Sequence, residues 1–298
     1  MRNLIEQYVD LHLHSRYSDG LHSPGELVRM AAEKGLRAIA LTDHDSVDGI
    51  DEALAAGERF GVEVLPAVEL SVAFRGYRDV HLLGYLIDHR DQAFAARLET
   101  FRKSRDERGR TIVDRINDRL SRDNRGCITY EEVLAVAGGA VGRPHIARVL
   151  IGKGLARDIE DAFDKFLVPC NVSKLQIPMA EAITEIRRIG GVAVLAHPSS
   201  ISPERTILKT MIGEMVTMGL DGLEVFANMC YKDDISFFND LATRKGLAVT
   251  GGSDYHGFDD DVEIGLGRGG LAVSYRCVER LKDVRGIAEH SIRDARVI

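Results

Sequence analysis

Residues 8–20 read YVDLHLHSRYSDG, and the opening of that stretch decides the fold class. Tyr8–Leu13 is an apolar run broken only by Asp10 and His12. At the two-residue period of a strand, Asp10, His12 and His14 share one face. Six further runs have strand character: Ala38–Leu41, Val62–Ala67, Val80–Leu86, Val192–Ala196, Gly222–Phe226 and Leu247–Thr250. Most are rich in Val, Ile and Leu without strict alternation, as expected of strands covered on both faces. Helical patterns lie between them. Ser23-Pro24-Gly25-Glu26 is a capping box with proline in the first turn, opening a helix that should end at Gly35. Ile50, Ala53, Leu54, Gly57 and Phe60 form the next stripe, and Ile183, Ile186 and Ile189 precede the fifth strand. Leu208, Met211, Ile212 and Met215, then Ile235, Phe238 and Leu241, complete the series. Strands alternating with helices predict an α/β fold with a parallel sheet, either a barrel or a doubly wound sheet.

Residues 91–180 break this rhythm. No strand pattern is evident there, whereas helical stripes run through Phe94, Leu98 and Phe101, then Ile112, Ile116 and Leu120. Thr129-x-x-Glu132 opens another helix, and Pro144 to Leu150 forms one more. The segment reads as a helical insertion, giving a discontinuous barrel of residues 1–90 and 181–285, an inserted helical cap at 91–180, and a C-terminal tail at 286–298. Within the insertion, residues 101–125 hold nine basic and five acidic side chains, and such a run reads first as a solvated helix face.

A chain of 298 residues is one large domain or two modest ones at roughly 100–200 residues per domain and buries its own core without disulfides. Its four cysteines, Cys127, Cys170, Cys230 and Cys277, form no CxxC pair and read as reduced thiols. No apolar run approaches a membrane span, and Asp10 and His12 interrupt the N-terminal segment before a signal-peptide core forms. A cytoplasmic location is expected, with no membrane contact. The formal charge of −7 argues against duplex DNA as a partner, although a local cluster of ions or arginines can reverse the field at one site.

Polar residues collect where the strands end. Asp10, His12 and His14 close the first, Thr42-Asp43-His44-Asp45 the second, and Glu69 follows the third. His81 lies within the fourth, His197 follows the fifth, and Ser253-Asp254-Tyr255-His256 follows the seventh. In a barrel these would meet at the C-terminal mouth. Six of the ten histidines fall in these places, beside Asp19, Glu69 and Asp254, which points to bound metal. Imidazole and carboxylate without thiolate suits Zn²⁺, Mn²⁺ or Fe²⁺. A carboxylate shared between two ions makes a two-metal hydrolase site. Three carboxylates against two or three divalent ions leave the site net positive, which favours a phosphate ester.

DLHLHSRYSDG, LTDHDS, AVELSV, VHLLGY, LAHP and GGSDYHG occur in the order found in the PHP (polymerase and histidinol phosphatase) family, which the chain resembles from Val9 to Phe258. The resemblance implies a distorted seven-stranded, TIM-like (β/α)7 barrel and two or three divalent ions. It would place His12, His14, Glu69 and Asp254 on the first ion. Glu69 would bridge to a second, completed by His81 and His197, and Asp19, His44 and His256 would hold a third. Some members carry histidine where this chain has Asp19. Gly142-Arg143-Pro144-His145-Ile146-Ala147-Arg148 is similar to the cap of members acting on nucleoside 3′,5′-bisphosphates and 5′-phosphorylated RNA ends. Arg143 and His145 would then contact substrate phosphate, with Lys174 as a further contact. After Phe166 the chain departs from the family's Pro-x-Tyr-Val, carrying Pro169-Cys170-Asn171-Val172-Ser173-Lys174.

The resemblance implies a phosphatase that removes the 3′-phosphate of a nucleoside 3′,5′-bisphosphate, using a water or hydroxide bridging the first two ions, with His145 as a candidate acid. The alternatives are a 5′→3′ exoribonuclease on short 5′-phosphorylated RNA, histidinol-phosphate phosphatase, and a PHP scaffold without activity. A scaffold has no chemical need for nine ligands. Glu224 could support a metal ligand or face solvent, and Asp10 should orient a ligand histidine. Gly265-x-Gly267-x-x-Gly270 matches a dinucleotide pattern but leads into no amphipathic helix and reads as a rim loop. His22, His89 and His290 read as surface residues.

Overall fold

In the computed structural model the described residues are 7–137, 141–228, 230–258 and 260–295, with side chains described as far as residue 286. The chain begins with β1 (Tyr8–Leu13), α1 (Pro24–Glu33), β2 (Ala38–Leu41) and α2 (Ile50–Phe60). In α1 the expected capping box is present, with the Glu26 N–H donating to Ser23 Oγ and the Ser23 N–H donating to the Glu26 carboxylate. Then come β3 (Glu63–Phe74) and β4 (Tyr77–Tyr85). These form a hairpin closed by Arg75 and Gly76, both at positive φ (47° and 75°), the two-residue turn whose twist matches antiparallel strands. The hairpin makes β3 longer than the expected Val62–Ala67 and runs β4 against its neighbours. Glu69 therefore lies inside β3, and His81 sits in the middle of an antiparallel strand.

The insertion is α3 (Gln92–Arg122), α4 (Tyr130–Ala137), α5 (Arg143–Gly152) and α6 (Ile159–Ala162), which continues into a π-helical turn at Phe163–Leu167. A two-residue strand, β5 (Ile177–Pro178), adds to β3, with Val72 opposite Ile177; it is too short to leave a pattern in sequence. The barrel resumes with α7 (Met179–Arg188), β6 (Val192–Leu195), α8 (Arg205–Thr217) and β7 (Gly222–Ala227). It ends with α9 (Lys232–Lys245), β8 (Ala248–Gly252), β9 (Val273–Ser274) and α10 (Arg276–Ala295). The expected tail thus starts inside α10; residues 296–298 and the His290 side chain lie outside the described residues.

Strand order is β8-β7-β6-β4-β3-β2-β1-β9. β1–β2–β3 and β6–β7–β8 are parallel sets, and β4 joins them antiparallel to both neighbours. The two ends of this sheet nearly close into a barrel. A parallel bridge joins Leu13 to Tyr255, and the His14 N–H donates to Tyr255 O at 3.0 Å. Asp10 completes the seam: its carboxylate accepts from Ser253 N, Ser253 Oγ and Gly265 N at 2.9, 2.6 and 2.7 Å. All seven strands read from sequence are present, and two short ones accompany them.

Two apolar cores serve the two parts of the chain. The barrel and its helices share a core that takes in Phe94, Leu98 and Phe101 from the start of α3. Ile112, Val113, Ile116 and Leu120, further along the same helix, belong to a second core with Ile146, Leu150, Phe166 and Leu167. One long helix thus anchors the insertion to the barrel.

Candidate metal centre

The loop after β1 is folded around Asp43, whose carboxylate accepts from Ser15 N, Ser15 Oγ and Ser18 Oγ at 2.7, 2.6 and 2.6 Å. Gly20 closes that loop: a Cβ there would lie 2.1 Å from the His14 carbonyl oxygen. The result presents Asp19 beside His14. His12 and His14 project from β1, His44 follows β2, Glu69 and His81 face each other across the hairpin, and His197 and Asp254 follow β6 and β8. Both His197 (φ 24°) and Asp254 (φ 53°) hold backbone that L-residues avoid, as functional positions often do.

All nine metal-ligand candidates are brought together. His12 Nε2 lies 3.4 Å from both Glu69 Oε2 and Asp254 Oδ1, and His14 Nε2 lies 3.3 and 3.1 Å from the same two atoms. Ligand atoms about 2.1 Å from a tetrahedral ion stand about 3.4 Å apart, so this spacing fits an ion. Glu69 Oε1 is 3.1 Å from both His81 Nδ1 and His197 Nε2, which are themselves 3.3 Å apart. A third group is looser: Asp19 lies 3.3 Å from His256 Nε2 and 3.8 Å from both His44 Nε2 and His14 Nδ1. His44 Nδ1 also approaches Glu69 Oε2 at 3.0 Å, so His44 stands between groups.

The donor set fits metal on a second ground. His12 Nε2, both His14 ring nitrogens, Asp19 Oδ1, His44 Nδ1 and Glu69 Oε2 are buried without a hydrogen-bond partner, a costly arrangement unless something else satisfies them. Burial opposes ionisation of Glu69, Asp19 and Asp254, but the imidazoles around them outweigh it and hold all three carboxyls below their ordinary range. Burial pushes His44 down to about 4 against the pull of Glu69 and Asp19, leaving a neutral ring with a lone pair to give. Such a cluster can hold divalent cations and, through them, an anionic ester.

The insertion reaches the mouth through α5 and α3. Gly142 packs on Asp19, which a Cβ on that glycine would meet at 3.3 Å. Arg143 opens α5, with its guanidinium 4.0 Å from Asp79 and partly exposed. His145 is fully buried, its Nδ1 accepting from Gly142 N at 3.0 Å while Nε2 has no partner; its ring meets Phe258 edge-on. Lys174 is near Asp45 and Arg105, and burial lowers its pKa despite the Asp45 carboxylate. Lys174, Arg105, Arg108, Ser104 and Asp45 line one cleft beside His44. Arg108 donates to Val172 O and Asn171 Oδ1, and burial, then Arg143 and Arg105, push it down to about 10.

Sequence reasoning passed over Arg105 and Arg108 as part of a solvated run. The signal was present: Phe101, Arg105, Arg108 and Ile112 are spaced along one helix face, so the two arginines interrupt a buried stripe. Arg105 makes a buried pair with Asp45 at 2.7 Å, and Asp45 also accepts from Ser71 N and Oγ. Asp10, expected to orient a histidine ring, reaches only the His12 backbone N–H, at 3.3 Å, and is spent on closing the barrel. Glu224 is fully buried and meets His12 Nδ1 at 2.9 Å. His22 and His89 are less exposed than expected: His22 bonds Tyr255 Oη and His89 bonds Asp51. The Gly265–Gly270 segment is a rim loop, as read from sequence, with Gly265 and Gly267 at positive φ.

A family model described as PHP domain matches residues 10–168. The chain is 35% identical over 251 residues to a 3′,5′-nucleoside bisphosphate phosphatase of Chromobacterium violaceum, covering 83% of this chain and 87% of that one. It is 32% identical over 250 residues to a 5′-3′ exoribonuclease of Haemophilus influenzae, covering 83% and 89%. A solved structure from Bifidobacterium adolescentis, of a protein proposed to be a metal-dependent phosphoesterase, superposes with a TM-score of 0.81 at 30% identity. The superposition covers 93% of this chain and 96% of that one.

Proposed function

The chain belongs to the PHP domain family and is a metal-dependent phosphoesterase, and from that premise we propose that it removes the 3′-phosphate of nucleoside 3′,5′-bisphosphates. The observation that carries the substrate is the cationic cleft of Arg105, Arg108 and Lys174, with Arg143 alongside, next to the metal cluster. One phosphate at the cluster leaves these cations without a task. A second phosphate on the same small molecule supplies one, and the relative named for bisphosphate hydrolysis supports the same choice. The histidinol-phosphate reading offers no second anion for them.

Under this proposal His12, His14, Glu69 and Asp254 hold one divalent ion, Glu69, His81 and His197 a second, and Asp19, His44 and His256 a third. Manganese, zinc and iron all suit these ligands. Bound ions would supply Lewis acidity toward the phosphoryl oxygens and activation of water near neutral pH. The protein's own part is positioning. Arg143 grips phosphate through its guanidinium fork, and Lys174 and Arg108 neutralise the distant phosphate. His145 accepts the Gly142 N–H at Nδ1, so its proton sits on Nε2, where it donates a hydrogen bond to phosphate. Burial pushes this imidazole down to about 4, which makes it a neutral donor rather than the acid for the leaving group. The insertion covers the mouth as a cap. Four free cysteines suit the cytoplasm, and among the described residues no helix is long and apolar enough to cross a membrane.

Phosphate release from adenosine 3′,5′-bisphosphate by the manganese-loaded protein, with products separated by chromatography, tests the reading. Stoichiometric AMP and phosphate are expected. The second reading, stepwise 5′→3′ removal of nucleotides from short RNA, draws on the exoribonuclease relatives and on the same cleft gripping a 5′-phosphate. Mononucleotides released from 5′-phosphorylated RNA, without phosphate release from the bisphosphate and with metal content confirmed, would replace the first reading by the second.

A further inference from the structure

We infer that Glu224 ties the first metal group to the second, so that the two ions load as a pair. This rests on the ligand assignment proposed above. Glu224 lies in β7, between the strands that carry the two groups, and its side chain is fully buried. One oxygen, Oε1, is 2.9 Å from His12 Nδ1. The other, Oε2, accepts the backbone N–H of His197 at 2.6 Å. One carboxylate therefore grips a ligand from each of the two groups that share Glu69.

Each grip sets a ligand geometry. With the Nδ1 proton donated to Glu224, His12 is left with its lone pair on Nε2, the atom facing Glu69 and Asp254. At His197 the backbone stands at φ 24° and ψ 60°, a strained conformation that persists only where its surroundings enforce it. A short bond from a carboxylate to that N–H is such an enforcement, and it directs His197 Nε2 toward Glu69 Oε1 at 3.1 Å. Both Glu224 oxygens are occupied by protein donors, so Glu224 serves as a positioning residue and not as a further ligand. Asp10 is the natural contrast: equally buried, it touches no imidazole and fastens backbone to backbone.

Glu224→Gln keeps the shape but replaces one acceptor oxygen by an amide donor, so one of the two grips must fail. Manganese titration of the metal-free variant by calorimetry is expected to show both ions weakened together, by roughly 10- to 100-fold. Turnover should recover in excess manganese with little change in KM. Wild-type affinity for both ions, or loss of one ion with the other unaffected, would overturn the coupling. Asp10→Asn separates this from general damage, since its folded fraction should bind manganese as the wild type does. Equal weakening in both variants would reduce the effect on Glu224 to fold damage.

If Glu224→Gln does not fold, His256→Ala, which disables the third group, carries the test. Native mass spectrometry at limiting manganese should then show metal-free and two-ion protein with the one-ion species depleted. An abundant one-ion species would overturn the inference. Wild-type protein that bound no manganese at all would refute the ligand assignment itself, a failure distinct from that of the coupling.

Discussion

His145 is buried and neutral, and its titration can be followed. Burial holds its folded-state pKa at about 4, below the 6.5 of an exposed imidazole. Between those two values the unfolded chain binds a proton that the folded chain does not, so stability rises with pH across that window. The contribution is intact above the unfolded value and is lost as pH falls from about 6.5 toward 4, by something of the order of 3 kcal/mol. Urea unfolding of metal-free wild type and His145→Asn at several pH values checks this. The wild type should lose stability faster than the variant across the window, and parallel curves would show that the ring is solvated. The ligand side chains were legible because strand ends and a two-residue period mark them one strand at a time. Glu224, Arg105 and Arg108 were not, because their roles depend on which strand or helix lies beside them. No local pattern encodes that β7 sits next to β6 and reaches β1 across the barrel.

At the scale of elements, the strands were legible as apolar runs, whereas the hairpin that lengthens β3 and reverses β4 was not. Its turn is Arg75-Gly76 within a polar stretch, and one positive-φ glycine does not distinguish a tight hairpin from a loop. Glycines also show how closely elements approach. In β4, a Cβ on Gly84 would meet Ile186 Cδ1 at 2.3 Å, the end of a side chain that can turn away. In β8, a Cβ on Gly252 would meet His12 N at 2.3 Å and His12 Cβ at 2.4 Å, on a strand that cannot yield without moving a ligand. Gly84→Ala should therefore cost about 1–2 kcal/mol with full metal content. Gly252→Ala should cost about 3 kcal/mol or more and lose metal as well. Denaturant melts paired with elemental analysis distinguish them, and a Gly252→Ala protein with its full complement of metal would show that the β1–β8 seam is looser than described.

At the scale of the whole molecule, a chain of net charge −7 carries a small cationic cleft at its mouth. The two fields act over different distances, and salt separates them, since the screening length is about 8 Å at physiological ionic strength. A bisphosphate mononucleotide fits within reach of Arg108, Arg143 and Lys174 and experiences mainly attraction. The far phosphates of a longer oligonucleotide extend over an acidic surface and are repelled. Raising salt from about 50 to 300 mM should therefore raise KM for the bisphosphate several-fold. It should leave KM for a 5′-phosphorylated ten-residue RNA flat or lower it, with little change in kcat for either. Arg108→Ala should flatten the bisphosphate response. A steep rise of KM with salt for the RNA would mean several phosphates held along a basic track. The exposed arginines of α3 would then be the part of the surface doing the holding, and the exoribonuclease reading would gain what the bisphosphate reading lost.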